Sequence, residues 1–342
     1  MAIVETRRVF VGLDYHQEKV QVCVVDDQGK LLLDKPAGNA WGVIAAAANR
    51  YGQVQGVAIE CCCGAANLAK ELADKAGWNV SLAHPGFVAR MKQNPDKTDF
   101  TDARILADLH RVGYLPKVWL APNEIRELRR IVRYRQELVD ERRNVKLRIR
   151  ALLRDERIRL PEECGRPWTR AWLAGLRGID QLAATSRWIL DEQLERLTSL
   201  NGRIREVESR LEDLVAEDAV VKKLRTFQGI GLITATVMRA EIAQFDRFQT
   251  GKQLSKFCGV TPRNASSGNR QADAGLLKAG NKQLRTVVIE AAHRLMRCDD
   301  RWLAMACRLK QAGKPTCVVI AAVANRWIRW LHHQMQPELM AA

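Results

Sequence analysis

Asp14, Glu60, Asp99 and Asp102 are the residues of this 342-residue chain whose types and placement can do chemistry together. Asp14 closes a short apolar run, Val9–Leu13, and Glu60 closes a second, Val54–Ile59. Asp99 and Asp102 stand one turn apart on one face of a segment with helical pattern. Carboxylates gathered in one place repel one another and take up protons unless a cation neutralises them. Mg2+ is the hard, oxygen-preferring ion suited to such a set, with Mn2+ as a substitute. Two such ions can stabilise the attacking and leaving oxygens of a phosphoryl transfer. Taken singly, each acid reads more simply as a turn residue or part of a solvated helix face, so the joint placement carries the chemistry. Of His16, His84, His110 and His293, only His16 lies close in sequence to the acids, where it is a candidate for steadying a metal ligand.

A second set of candidates lies in the rear of the chain. Leu224–Ala235 reads as a helix–hairpin–helix with Gly229-Ile230-Gly231 at its turn. Glycines there let backbone amides at a helix N-terminus approach a phosphate that a Cβ would keep away. A plain helical hairpin is the simpler alternative, and the basic surroundings favour the phosphate. Arg247–Arg285 holds eight Lys/Arg and one acid, Asp273, and contains Thr261-Pro262-Arg263-Asn264-Ala265-Ser266-Ser267-Gly268. A serine in such a loop can accept a phosphoryl group while arginines stabilise the charge, although Ser-Ser-Gly in isolation is a flexible turn. Gly229, Gly231, Arg263, Arg270, Lys278 and Lys282 are the candidate nucleic-acid contacts.

The elements that position these residues are legible as patterns. Val9–Leu13, the alternating run Val20–Val25 and Lys30–Leu33, with a turn at Asp26-Asp27-Gln28-Gly29, predict a three-stranded antiparallel meander. Helix Ala40–Arg50, strand Val54–Ile59, helix Ala65–Ala76 and strand Asn79–Ala83, closed by His84-Pro85-Gly86, extend this into an α/β layer with one mixed sheet. Thr98–Val112 is the helix that bears Asp99 and Asp102. Asn123–Arg159 is a long helix carrying 13 Lys/Arg against 7 Asp/Glu, with a heptad-like seam at Ile125, Leu128, Val132, Leu138, Val145 and Leu152. Leu182–Ala216 is a second, with Leu190, Leu194, Leu197, Ile204, Leu211 and Leu214. Separated by Pro161–Gly178, the two predict an antiparallel arm, a dimerising coiled coil or an ordinary bundle. Helix, Gly turn and helix follow over Leu224–Ile242, then a basic loop region Gly251–Gly280, and Asn281–Arg297 and Ala304–His333 close the chain as helices. Trp327 and Trp330 read as packing residues of a terminal amphipathic helix.

The bulk composition narrows the partner. Apolar residues at 47% and charged residues at 27% describe a globular chain with enough length for two or three domains. The net charge is +16 and unevenly spread: residues 1–120 hold 14 Lys/Arg against 13 Asp/Glu, and the remainder 41 against 26. A near-neutral front with a strongly basic rear predicts a polyanion gripped by the rear, the alternative being a well-solvated surface. Nine cysteines show no CxxC spacing, and Cys61-Cys62-Cys63 read as reduced, buried small hydrophobes of a cytosolic protein. Neither a secretory signal nor a membrane-spanning apolar run is present.

Several stretches together resemble the insertion-sequence 110 family of DEDD-type transposases (recombinases). They are VGLDYHQEKVQVCVVDDQGK, VAIE, HPGFVARMKQNPDKTDFTDARILADL, LRTFQGIGLITATVMRAEI and GVTPRNASSGNRQADAGLLKAGNKQLRTVVIEAA, in the family's order and over most of the chain outside the helical middle. The resemblance implies three parts. Residues 1–120 would form a ribonuclease-H-like (RuvC-type) domain whose acids fall on Asp14, Glu60, Asp99 and Asp102. Residues 121–218 would form a helical, coiled-coil middle, and residues 219–342 a mostly α-helical transposase domain with the helix–hairpin–helix and a nucleophilic serine, placed at Ser267 with Ser266 as the fallback. It further implies strand exchange through a covalent phosphoserine, with the acids of one subunit facing the serine of another in a homodimer or homotetramer. The implied partners are donor and target DNA and a structured guide (bridge) RNA, in the bacterial cytoplasm. One local departure follows Glu60, where the family commonly shows a small Thr-Gly type sequence and this chain has Cys61-Cys62-Cys63-Gly64. Two competing functions remain open: a junction-resolvase-like nuclease that hydrolyses DNA with metal and water, and a non-catalytic nucleic-acid scaffold.

Overall fold

The computed structural model describes residues 7–91, 99–159, 162–264, 273–276 and 279–336, with the backbone alone described at residues 99, 100, 264, 273 and 274. The chain divides into two compact units, Met1–Ala121 and Pro122–Ala342.

The first unit is built on a six-stranded mixed sheet in the order β3-β2-β1-β4-β5-β6. β1 (Arg8–Tyr15), β2 (Lys19–Asp26) and β3 (Leu31–Gly38) form the expected antiparallel meander. The chain then returns through α1 (Trp41–Asn49) to β4 (Gln53–Glu60), parallel to β1, and through α2 (Ala65–Ala76) to β5 (Val80–Ala83), parallel to β4. Val11, Leu13, Val22, Val24, Val57 and Ile59 pack against Ile44, Leu68 and Leu72 of α1 and α2. On the opposite face Phe10, Cys23, Val25 and Ala58 lie under α4 (Asp99–Arg111), against Ala103, Leu106 and Ala107. This two-sided cover changes the meaning of the alternation in β2. Every residue from Val20 to Asp26 is buried. Gln21 stays inside because its amide donates to Asp34 Oδ1 at 2.6 Å. The arrangement is consistent with a ribonuclease-H-like domain.

Two small elements were not legible in the pattern. His84-Pro85-Gly86 is no simple closing turn: Pro85 opens α3 (Pro85–Met91), where a missing N–H costs nothing. Lys117–Val118 adds β6, antiparallel to β5. The cysteine expectation is corrected as well. All nine are free, but Cys62 and Cys63 are exposed and Cys61 is half-buried. They occupy the turn between the end of β4 and the start of α2, beyond the sheet that would have covered them.

In the second unit, α5 (Asn123–Asp155) and α7 (Ala184–Val215) lie antiparallel. Arg135 pairs with Glu208, Arg142 donates to Asn201 Oδ1 at 3.2 Å, and Ser186 bonds Glu156, so the partner number falls as the first rises. Thirty-three residues make α5 about 50 Å long. Val145, Ile149 and Leu153 meet Leu190, Leu194 and Leu197 in a continuous seam. The heptad reading slips at the ends, where Leu153 replaces Leu152 and Val215 replaces Leu214, which is 56% exposed. A straight α-helix drifts about 20° per heptad, enough to carry the last seam residue off the interface. The connecting stretch contains a 3-10 turn at Glu162–Cys164 and α6 (Arg170–Arg177), whose first turn is capped by Thr169.

The roots of this arm join a helical core. Leu128, Val132, Leu211 and Val215 pack with α8 (Ala219–Arg225), α9 (Leu232–Ile242), α11 (Lys282–Cys298), α12 (Asp300–Gln311) and α13 (Thr316–Gln334). Trp327 is fully buried there, and Trp330 packs edge-on against Phe227. The segment expected as a basic loop is more ordered than its composition implied. It holds α10 (Gly251–Phe257), capped by Thr250, and a ladder of β7 (Pro262–Asn264) with β8 (Asp273–Leu276). The last helical stretch is split, because Gly313 at φ +73° and Pro315 separate α12 from α13. Among the described residues no helix is long and apolar enough to cross a membrane.

Candidate active site

Strand register brings two of the acids together. Gly12 pairs with Ala58 and Leu13 with Ile59 in the parallel β1–β4 ladder, so Asp14 and Glu60 stand side by side at the carboxyl ends of neighbouring strands. Side chains alternate along a strand. Asp14 therefore shares the face of Gly12, and Glu60 the face of Ala58, which is the face covered by α4. Gly12 is what lets α4 come this close. A Cβ on it would stand 1.9 Å from the carbonyl oxygen of Ala103 and 2.6 Å from the nitrogen of Ala107. Asp102 precedes Ala103 in the first turn of α4 and is half-buried; Asp99 opens the same helix, its side chain lying outside the described residues. β1, β4 and α4 thus carry their acids to one end of one sheet.

The neighbours of the acids are consistent with that placement. His16 Nε2 lies 3.3 Å from Asp14 Oδ2. Burial first, then the charges of neighbouring groups including Asp14 and Glu60, push the Cys62 thiol up. Burial, then Cys63 and Glu60, do the same to Cys61. The turn that bears the cysteines packs on the end of β1: at Gly64, with φ +92°, a Cβ would meet Tyr15 Oη at 2.2 Å.

Asp14, Glu60, Asp99 and Asp102 all offer carboxylate oxygens, the ligand type that suits a hard divalent cation. Among the described residues, no three His, Cys, Asp or Glu side chains stand close enough to hold a metal ion.

In the rear, α8, the glycine-containing turn Thr226–Gly231 and α9 follow one another as helix, turn and helix. Gly229 takes φ +81°, and a Cβ there would come within 3.0 Å of Leu295. Gly231 is the N-cap of α9 and offers no side-chain cap, so the first-turn amides keep their hydrogen-bonding capacity for a ligand. Arg294 donates to the Gly229 carbonyl at 3.1 Å and to Thr234 Oγ1 at 3.2 Å, fixing the turn from α11. A cavity of about 810 Å³ opens at the turn; Arg205 and Arg294 line it together with Glu208 and Glu212, so its wall carries both signs.

Ser266, Ser267, Arg270 and Lys278 lie outside the described residues; Arg263 is exposed on β7, and Lys282 opens α11. What the structure does describe is the base of the serine loop. Gly259 and Gly280 touch backbone to backbone, since a Cβ on Gly280 would stand 2.4 Å from the Gly259 Cα. Arg285 donates to the carbonyls of both, at 3.0 Å each. Asn281 N–H donates to the Phe257 carbonyl at 2.8 Å, and the Asn281 side chain caps α11 while donating to Glu241 Oε2 at 2.8 Å. Glu241, 2% exposed, also accepts both guanidinium bonds of Arg133, at 3.0 and 3.1 Å.

Gly12, Glu241, Asn281 and Arg285 escaped the sequence reading. Two left a signal: a glycine within an apolar strand marks close backbone approach, and Gly280-Asn281 ahead of a helical run is an N-cap signature. Glu241 and Arg285 left none, because their partners are distant in sequence.

Comparisons with known proteins agree on both halves of the chain. Residues 221–307 match the family described as Transposase IS116/IS110/IS902, and residues 11–157 match a DEDD transposase family of the IS110 type. A probable family 20 transposase of Pseudomonas aeruginosa is 30% identical over 80% of this chain and 82% of its own. The transposase for insertion sequence element IS1111A of Coxiella burnetii is 25% identical over 94% and 88%. The transposase for insertion sequence element IS1328 of Yersinia enterocolitica is 26% identical over 69% of each.

Proposed function

The chain belongs to the IS110 family of insertion-sequence transposases, and on that premise we propose that it cuts and exchanges DNA strands through a covalent phosphoserine at Ser267. The observation that carries this reading is the placement of Asp14 and Glu60 at adjacent strand ends beneath the first turn of α4. Asp14, Glu60, Asp99 and Asp102 would hold Mg2+, with Mn2+ as a substitute. The bound ion supplies charge neutralisation for a phosphate and for the oxygens that enter and leave it.

The chain's own residues supply the rest. The Ser267 hydroxyl attacks phosphorus; its bond to phosphorus forms as the bond to the departing DNA oxygen breaks, and that oxygen leaves as a hydroxyl carrying the proton. Reversal on a second DNA end restores the serine. Because one phosphoester replaces another, the exchange needs no external energy source. Arg263 and Arg270 would offset charge on the phosphate, and the amides after Gly231 would hold a backbone phosphate nearby. The excess of cations after residue 120 supports DNA as partner, and the 13 Lys/Arg of residues 123–159 support the structured guide RNA as well. Division of labour between a front catalytic domain, a helical middle and a rear transposase domain, in an assembly of two or four copies, completes the proposal.

The test is adduct formation on supercoiled DNA carrying the element's ends, with its RNA. The wild-type chain should become covalently attached to DNA at Ser267. Ser267→Ala should give no adduct and no joined strands, and Asp14→Asn should bind DNA yet fail to cut. Normal joining by Ser267→Ala would overturn the serine mechanism; cutting without joining or adduct would instead favour metal-dependent hydrolysis.

A further inference from the structure

A second basic surface, not part of the helix–hairpin–helix or the serine loop, lies between α10, α12 and α13. It is a cleft of about 740 Å³ lined by Lys252, Arg301, Arg326 and Arg329, with His333 at its edge and no carboxylate in its wall. Among the described residues none of these four cations forms an ion pair. Four like charges in one concave surface raise the local potential and cost stability until an anion offsets them.

The sequence builds this surface deliberately from three elements. Arg326 and Arg329 are three residues apart on α13 and so share a face. Lys252 comes from the first turn of α10, which lies directly on α13 because Gly251 has no side chain. A Cβ there would stand 2.9 Å from the Cα of Arg329. Arg301 comes from the start of α12 and lies over the rings of Trp302 and Trp330, at 4.8 and 5.7 Å from their centres. His332 is used structurally, its Nε2 2.8 Å from the Phe248 carbonyl oxygen.

We infer that this cleft is a docking site for the phosphate backbone of duplex DNA, an inference that rests on the reading of the chain as a DNA transposase. Single-stranded nucleic acid is held by cations together with open aromatic faces on which bases stack. Trp330 offers no such face: Phe227 and Trp302 meet it edge-on at 5.6 and 6.3 Å, and Arg301 covers it. Cations without a stacking platform fit a partner whose bases are already stacked on each other, contacted through its phosphates and without regard to sequence. None of the residues lining this cleft lines the cavity at the α8–α9 turn, so the second unit presents two separate phosphate surfaces.

Fluorescence anisotropy with the full chain and a labelled duplex of arbitrary sequence, over a range of salt, tests the inference. The double variant Arg326→Gln/Arg329→Gln should bind more weakly, with a slope of log K against log salt shallower by about two. Arg326→Lys/Arg329→Lys should restore the wild-type slope, and Lys252→Gln alone should lower it by about one. Melting temperatures of all variants exclude unfolding as the cause. Wild-type affinity and slope in both glutamine variants would overturn the cleft while leaving the transposase reading intact. Loss confined to a single-stranded RNA of equal length would also overturn it, in favour of an RNA surface. A wild-type chain without salt-dependent duplex binding would sink both readings together.

Discussion

Gly12 sets how closely α4 lies on the strand that carries Asp14. A methyl group there would press on the backbone of α4, which cannot rotate out of the way as a side chain can. Gly12→Ala should cost about 1–3 kcal/mol in urea unfolding, and Gly12→Val should abolish strand cutting even where the chain still folds. His110, on the same helix, makes a different demand. A Cβ on Gly56 would meet its ring at 2.3 Å, and both ring nitrogens are buried without a hydrogen-bond partner among the described residues. Burial, then the nearby charge of Lys117, lower its pKa below the ordinary 6.5. The unfolded chain protonates this histidine near 6.5, and the folded chain only at lower pH. Below 6.5 the unfolded state binds more protons, so stability falls as pH drops through that window and levels off below the folded value. The melting temperature should decline between pH about 7 and about 5 by less in His110→Phe than in the wild type.

At the scale of elements, the C-terminal end of α9 is held by side chains from outside the helix. Its last carbonyls accept from Arg129 at 2.6 Å and Arg247 at 2.8 Å, and Glu241 near its end ties α5 to the cap of α11. Removing one member of a buried charge network leaves the others desolvated and unpaired. Glu241→Ala should therefore cost about 3 kcal/mol, the lower end of the usual range because Arg133 can turn to water. Glu241→Gln should recover part of that by keeping an acceptor for Asn281. The same network explains what the sequence made legible. Periodicity reports which face of an element is apolar, so the meander, the crossovers and the α5–α7 arm were all readable, as was the strand-end position of Asp14 and Glu60. Periodicity says nothing about long-range polar partners. It therefore missed the Arg285 clamp and gave Gly251–Phe257 no helix, while residue type alone put Cys62 and Cys63 inside when the turn leaves them exposed.

Across the whole molecule, charge and core follow the same division. Met1–Ala121 has its own sheet core, and Pro122–Ala342 its own helical one. The second carries nearly all the excess of cations. Expressed alone, residues 122–342 should keep most of the salt-dependent affinity for duplex DNA, and residues 1–121 should bind weakly at any salt; the slopes of the two fragments are the check. The contact of Gly259 with Gly280 fixes where the stretch between them begins and ends. Val260, fully buried in the helical core, ties the first residue of that stretch to the packing beneath it. The entropy lost in closing the loop is therefore met by the core and not by the segment's own sequence.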